Sequence, residues 1–206
     1  SPEERYKAVN NSDYDPKSFE AFKKRRPFSQ MALEPDPGRV HAVFGFTSPD
    51  GFHWKQIAEP LCVEVSDTAI TAYYDATLKK YVIYTRTYMV PPRAEGQPLR
   101  HERWHQFATR RAIGRTESDN FREFPLSQVV VESGPDMAPT DTWYTACYTT
   151  IPGMPEGHLM FPWRYTQAND GTQIDLLTSV EGKVWHRMPG SPVFQPPPFG
   201  QFDSGC

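Results

Sequence analysis

Ser48–Trp54 reads Ser-Pro-Asp-Gly-Phe-His-Trp, and this pattern returns at Ser179–Trp185 as Ser-Val-Glu-Gly-Lys-Val-Trp. A weaker copy, Ser-Asp-Asn-Phe-Arg-Glu-Phe, lies between them at Ser118–Phe124. A second signature, Asp-Thr-x-x-Thr-Ala-x-Tyr, occurs at Asp67–Tyr74 and again at Asp141–Tyr148. Similar pieces that recur at a regular interval are typical of repeat architectures, so the repeating unit decides the fold.

The composition indicates a β-rich protein with many loops. The chain has 206 residues, of which 38% are hydrophobic and 14% aromatic, and 21 are proline. Proline interrupts helices and favours turns, and only the short segment Lys17–Lys24 has a helical pattern. Alternating segments rich in Val, Ile, Tyr, Phe and Thr predict strands. They lie at Arg5–Val9, Val40–Thr47, Ala69–Asp75, Tyr81–Thr87, Phe107–Arg115, Gln128–Glu132, Trp143–Thr149, His158–Arg164 and Thr172–Ser179.

Charge and cysteine usage exclude several classes of protein. The net charge is -3, which is unlike the basic surface of a nucleic-acid binder. No apolar run approaches the roughly 20 residues of a membrane-spanning helix. Cys62, Cys147 and Cys206 form no Cys-x-x-Cys pair, so neither a disulfide framework nor a zinc knuckle is indicated. We therefore expect no nucleic-acid partner, no membrane partner and no cofactor.

One repeat contains four predicted strands. They fall between Asp67 and Asp141, and a four-stranded unit of this length that repeats is typical of a β-propeller blade. We predict one all-β domain over residues 1–206, a partial propeller of about two and a half four-stranded blades, with blade boundaries near residues 67, 141 and 203. Alternation of strand direction places Asp67, Asp141 and Asp203, which begin equivalent strands, around the mouth of the central channel.

The order and spacing of several stretches resemble a known group of enzymes. The stretches are Glu3–Lys7, Ser48–Trp54, Tyr81–Arg86, Arg111–Ser118 and Gln201–Gly205. They resemble the five-bladed propeller glycosidases of glycoside hydrolase families 32 and 43, and more closely the bacterial proteins described as family 32/43-like. The resemblance implies a polysaccharide- or oligosaccharide-cleaving hydrolase and favours a periplasmic or extracellular location. A non-catalytic propeller that binds carbohydrate or protein is the alternative, because one fold can host both functions. A five-bladed parent would contribute further acids, so we expect this piece alone to be inactive.

The three aspartates are the candidate catalytic residues. Glycoside hydrolysis uses two carboxyl groups across the scissile bond, and Asp67, Asp141 and Asp203 are placed to supply them. An aspartate followed by Thr or Ser at a strand start can also cap the local backbone, so a structural role remains open for some of them. The sequence does not distinguish the acid from the base.

The segment His101–His105 has two functional interpretations and a structural one. Its His-Glu-x-x-His pattern binds zinc in peptidases when it lies on a helix, but the prolines before it leave no room for a helix. Of the two functional interpretations we favour a loop over the pocket, in which Arg103, Trp104 and His105 contact a saccharide substrate. A loop that is merely packed is favoured over both.

Other candidate substrate-binding residues lie on the predicted strands. Arg86, Arg111 and Arg164 could pair with the channel aspartates or hold an acidic sugar, and pairing is favoured. Trp143 could stack on a sugar ring, although packing between blades is the simpler interpretation. The Asp-Gly turn before Trp54 and the Glu-Gly turn before Trp185 are interpreted as structural, with the indole buried between blades.

Overall fold

The computed structural model describes residues 1–29, 40–64, 66, 69–89, 110–198, 200–202 and 204. Within this part of the chain, antiparallel strands account for nearly all regular structure, beside one α-helix and a 3₁₀ turn at Pro2–Glu4. The prediction of an all-β protein is therefore confirmed. No helix in these ranges is long and apolar enough to cross a membrane.

The first unit is a sheet of three strands. They are β1 (Tyr6–Tyr14), β2 (Val40–Ser48) and β3 (Lys55–Gln56), paired in the order β1-β2-β3. The helix α1 (Pro16–Arg25) lies between β1 and β2 in the chain, where a short helix was expected. Asp15 caps it by accepting hydrogen bonds from the amides of Lys17 and Ser18. Its buried face contacts one side of this sheet.

The second unit is a meander of four strands, as the repeat predicted. The strands are β4 (Thr71–Asp75), β5 (Lys80–Met89), β6 (Arg110–Ser118) and β7 (Gln128–Val131), paired in chain order. The central strand β5 is buried along most of its length. It is therefore covered on both faces of the sheet, including its polar residues Thr85, Arg86 and Thr87.

The third unit is more broken than the sequence suggested. Three predicted strands are each divided in two. The strands are β8 (Asp141–Trp143), β9 (Tyr148–Ile151), β10 (Met154–Met160), β11 (Trp163–Thr166), β12 (Gly171–Ile174), β13 (Leu177–Ser179) and β14 (His186–Arg187). They form two sheets, β8-β11-β12 and β9-β10-β13-β14.

Hydrogen bonds continue across these breaks. Tyr144 N–H donates to Trp163 O at 2.8 Å, and Asp175 N–H donates to Pro162 O at 3.1 Å. The breaks have local causes, since Cys147 has a left-handed backbone with φ of 44° and Pro162 has no N–H to donate. The third unit is thus a meander of four strand positions, bent in the middle.

Alternation along β5 connects the three units. Ile83 packs in a cluster with Val43 of β2 and with Leu61, whose N–H donates to the Val43 carbonyl. Its neighbours Val82 and Tyr84 point to the opposite face and pack with residues of the third unit. The second unit is therefore held between the other two.

The repeated turns have one hydrogen-bonding scheme. The Ser48 hydroxyl accepts from Gly51 N–H, and the Ser179 hydroxyl accepts from Gly182 N–H, both at 2.9 Å. In each turn the following tryptophan donates its indole N–H to that glycine's carbonyl. The two indoles differ in burial, however. Trp54 is 44% exposed, so the expectation that it lies buried between units is wrong, whereas Trp185 packs against the core.

Candidate active site around Asp141

Asp141 is a buried carboxylate at the start of β8. It is 7% exposed, and its Oδ1 accepts a hydrogen bond from Thr166 Oγ1 at 2.8 Å. Arg164 Nη1 lies 3.6 Å from its Oδ2. Asp141 pairs with Thr166 across the sheet, and Arg164 lies two residues before Thr166 on the same face. The strand pairing therefore brings both partners to this carboxylate.

The backbone around Asp141 is also fixed by side chains. Its carbonyl accepts hydrogen bonds from Nε and Nη2 of Arg110, at 3.1 and 2.7 Å. Ser133 Oγ donates to the same oxygen at 3.2 Å. Because Arg110 belongs to β6, the start of the third unit is attached to the second unit at this point.

Arg164 joins Asp141 to a second acid that the sequence reasoning missed. Its Nε lies 3.4 Å from Oδ2 of Asp175, which is fully buried. Its Nη2 donates to Gln173 Oε1 at 2.5 Å. Asp175 lies between Ile174 at the end of β12 and the pair Leu176-Leu177 that leads into β13. An acid within such an apolar run is the signal that could have indicated a buried, paired carboxylate.

A cationic and aromatic cluster lies at the boundary of the second and third units. The guanidinium carbon of Arg111 is 4.8 Å from the ring centre of Tyr144 and 5.1 Å from that of Tyr165. The guanidinium of Arg86 is 5.8 Å from Tyr144. These distances are in the range of cation–π contacts. Tyr165 lies on the face of β11 opposite Arg164, so the cluster and the Asp141 carboxylate are on different faces of that strand.

The three arginines that the sequence singled out make different contacts. Arg164 pairs with Asp141, which is one of the two roles that the sequence left open for it. Arg111 stacks on tyrosines instead, and within the described ranges its Nε and Nη1 atoms are buried with no hydrogen-bond acceptor. The backbone N–H of Arg86 lies 3.4 Å from Ser66 Oγ, and its guanidinium also stacks on Tyr88. The three arginines therefore do not share one role.

Glu64 is a second buried acid that sequence reasoning did not single out. It is 1% exposed, and burial raises its pKa to about 7, although hydrogen bonds from Ser127 and Thr87 act in the opposite direction. Ser127 Oγ donates to its Oε1. Thr87 pairs with Ala112, and Ser127 precedes Gln128, the partner of Arg115, so Glu64 lies beside the middle of β6.

The remaining predicted site residues have different outcomes. Trp143 is 3% exposed and donates its indole N–H to Glu132 O, a placement that favours the core interpretation over a sugar platform. Asp67, Asp203 and the segment with Arg103, Trp104 and His105 lie outside the described residues. Among the residues that are described, no group of three or more His, Cys, Asp or Glu side chains could hold a metal ion.

Comparisons with known proteins support the fold at a coarse level. No protein-family model matches the chain, and no curated protein matches it. The chain is similar to a solved structure of a BT0996–RGII complex, with a TM-score of 0.50 and 11% identity over 96% of this chain and 61% of that chain. At this identity the similarity concerns the fold alone.

Two further solved structures are more distant. One is described as "Glycoside hydrolase", with a TM-score of 0.48 and 13% identity over 77% of this chain and 50% of that chain. The other is a B. megaterium levansucrase, with a TM-score of 0.43 and 12% identity over 86% of this chain and 40% of that chain. This chain therefore spans between 40% and 61% of the chains it matches.

Proposed function

We propose that this chain is part of a five-bladed β-propeller glycoside hydrolase that cleaves a polysaccharide or oligosaccharide with paired carboxylates. The proposal is supported by the repeated turns, by the four-stranded meander of the second unit and by the fold similarity to the BT0996 structure. The three units then correspond to successive blades, and residues 67, 141 and 203 mark equivalent strand starts.

The observation that supports this proposal most is the burial of the Asp141 carboxylate and the partners that hold it. Its carboxylate is withdrawn from bulk solvent, held by Thr166 and placed beside a guanidinium that also serves Asp175. A carboxylate fixed in a partly dehydrated site is oriented before substrate arrives, and such preorganisation is what acid–base and nucleophilic groups need. In the proposal, Asp67 and Asp203 hold the same position in neighbouring blades, and two of the three act across the glycosidic bond.

The substrate contacts are assigned to the arginines and aromatic residues near this end of the sheets. Tyr144 and Tyr165 present rings beside Arg111 on the face of β11 opposite the Asp141 carboxylate, so the cluster is assigned to a sugar unit other than the one at that carboxylate. A sugar can combine C–H contacts on a ring with hydrogen bonds to a guanidinium. Arg103, Trp104 and His105 extend this surface in the proposal. The substrate is a carbohydrate, and the location is periplasmic or extracellular, as the sequence resemblance implies.

The test is hydrolysis of a panel of glycans by the longer protein that contains this chain. Asp67, Asp141 and Asp203 are replaced by Asn, singly and together. We expect the triple variant to lose at least about a hundredfold in kcat/KM, because general acid–base catalysis contributes roughly this much. The matched control is Asp119→Asn, an aspartate in the turn after β6 whose side chain is 83% exposed. Full hydrolysis by the triple variant would exclude these residues as catalytic.

A non-catalytic propeller that binds carbohydrate or protein is the second candidate. The observation that favours it is that Asp141 is engaged by Thr166, by Arg164 and, through its carbonyl, by Arg110. Such contacts are also what a purely structural aspartate makes. If Asp141→Asn lowers the melting temperature while glycan binding persists and the unsubstituted protein hydrolyses no glycan of the panel, the binding function is supported instead.

A further inference from the structure

A cavity of about 510 Å³ lies far from Asp141, at the opposite end of β6. Arg115, Glu117 and Val129 line it on the second unit, and Lys80 and Lys183 stand at its edge. Arg110, which contacts Asp141, is separated from this region by five to seven residues of extended strand, or roughly 20 Å. The cavity is therefore separate from the proposed active site.

Arg115 is the buried cation of this cavity. Its side chain is 4% exposed, and Nη1 donates to Glu117 Oε2 at 2.8 Å. Its Nε and Nη2 atoms are buried, and the Tyr84 hydroxyl is a second partner beside this guanidinium. Burial opposes its charge, but the bond to Glu117 and the neighbouring Tyr84 hydroxyl hold the pKa of Arg115 above its ordinary value. Arg115 therefore keeps its positive charge in a largely buried position at the cavity wall.

The two lysines are only loosely paired. Lys183 Nζ lies 3.8 Å from Glu117 Oε1, and Lys80 Nζ lies 3.8 Å from Asp119 Oδ1. Both distances are longer than a hydrogen bond, and the Asp119 side chain is 83% exposed. With Arg115, three cationic groups thus face two carboxylates, one of which is largely in solvent. Cationic groups therefore outnumber carboxylates among the described charged residues at the cavity.

We propose that this cavity binds a small organic oxyanion, a carboxylate- or phosphate-bearing molecule of about the size of a sugar. The volume is within the range of small-molecule sites, about 300 to 1,000 Å³, and exceeds what a bare ion needs. Leu126, Val129 and Val130 supply an apolar wall for the uncharged part of the ligand. The charged part lies beside the ammonium groups of Lys80 and Lys183, and the buried Arg115 adds to the positive potential of that wall.

The experiment is isothermal titration of this chain with four probes: glucose 6-phosphate, glucuronate, glucose and inorganic phosphate. We expect one or both of the sugar anions to bind, with affinity falling as salt is added, and glucose not to bind. Binding of the phosphorylated sugar alone, or of glucuronate alone, identifies the source of the oxyanion. Binding of glucose with equal affinity, or of neither sugar anion, would overturn the proposal. Inorganic phosphate binding more tightly than both sugar anions would also overturn it, because the cavity would then hold a simple ion.

Surface variants make this test independent of folding. Lys183→Gln is expected to weaken binding about fivefold, and Glu117→Gln to strengthen it by a similar factor, since it removes a competing internal anion. Lys55→Gln, on the exposed strand β3, is the matched control and should leave affinity unchanged. A loss of affinity in Glu117→Gln equal to that in Lys183→Gln would contradict the proposal. Asp141→Asn, which tests the hydrolase, should not change this affinity, so the two proposals can fail separately.

Discussion

Both carboxylate oxygens of Asp175 accept hydrogen bonds from the guanidinium of Arg187, Oδ1 from Nη2 and Oδ2 from Nε, each at 3.2 Å. Asp175 is fully buried, and Arg187 lies on β14 at the edge of the third unit. Arg164 contacts the carboxylates of both Asp175 and Asp141, so Asp175 links the edge strand β14 to the residues around Asp141. The geometry around the candidate catalytic residue therefore depends on a second acid.

Asp175→Asn should destabilise the protein by about 3 to 5 kcal/mol, because loss of one partner leaves buried charge uncompensated. Urea denaturation measures the free energy of unfolding. Asp136→Asn is the matched control, since Asp136 lies 3.8 Å from the same Arg187 but its side chain is 65% exposed. We expect this control substitution to lower the free energy of unfolding by less than about 1 kcal/mol. Equal effects of the two substitutions would show that burial of Asp175 is not decisive.

Glu64 should make stability depend on pH. Its folded pKa of about 7 is above the ordinary 4.5, so the folded state binds the proton more tightly. The contribution of Glu64 to the free energy of unfolding is then fully present below about pH 4.5. It is lost as the pH rises through 7, by up to about 3 kcal/mol. Urea midpoints between pH 4.5 and pH 8 measure this loss.

Glu64→Gln should flatten that profile, because the amide does not titrate. Relative to the unsubstituted protein it should gain stability at pH 8 and gain little at pH 5. Glu20→Gln, on the exposed face of α1, is the control and should leave the slope unchanged. A profile in Glu64→Gln that is as steep as before would assign the pH dependence to other groups.

Gly182 and Gly51 occupy equivalent turns but should respond differently to alanine. Both have positive φ, 71° and 84°, so each Gly→Ala change costs about 1 kcal/mol in backbone strain. A Cβ at Gly182 would lie 2.5 Å from the buried Tyr84 hydroxyl, whereas none of the atoms around Gly51 is closer than 3.9 Å. We expect this contact to lower the free energy of unfolding of Gly182→Ala by roughly a further 1 to 3 kcal/mol.

A double-substitution cycle separates the two causes. Tyr84→Phe removes the hydroxyl that meets the new Cβ, although it also removes the bond from that hydroxyl to Gly182 O, which is 2.7 Å long. Together with Gly182→Ala it should therefore cost less than the sum of the single changes. Additive effects would show that the Tyr84 hydroxyl is not what opposes a side chain at this position.

The two tryptophans of the repeated turns should differ in the same way. Trp185 packs edge-on against Tyr84 and Tyr148, with ring centres 6.0 and 6.4 Å apart, while Trp54 is 44% exposed. Trp185→Ala should lower the free energy of unfolding by about 3 to 5 kcal/mol, and Trp54→Ala by about 1 kcal/mol or less. Thermal or urea denaturation of the pair measures this, and a larger loss for Trp54 would be contrary to the packing described.

The repeated turns could be recognised in the sequence because they depend on hydrogen bonds between residues that are close in the chain. The hydroxyl of Ser48 reaches an amide three residues away, and so does that of Ser179, so the pattern of letters is enough to predict the turn. The four strands of the second unit were predicted for a similar reason, since alternation and turn residues are local. Breaks such as that at Cys147 were missed because strand propensity was judged without the left-handed backbone there.

The sequence by itself determined the all-β class, the period of the repeat and the turns, since each follows from residues that are neighbours in the chain. Only the tertiary structure decided which charged side chains form ion pairs and which are buried. Arg164 reaches Asp141 and Asp175 because strand pairing brings together positions far apart in sequence, and Glu64 gains its raised pKa from burial by the elements packed around it. Pairing and burial are properties of the folded sheets, and no short segment of the chain carries them.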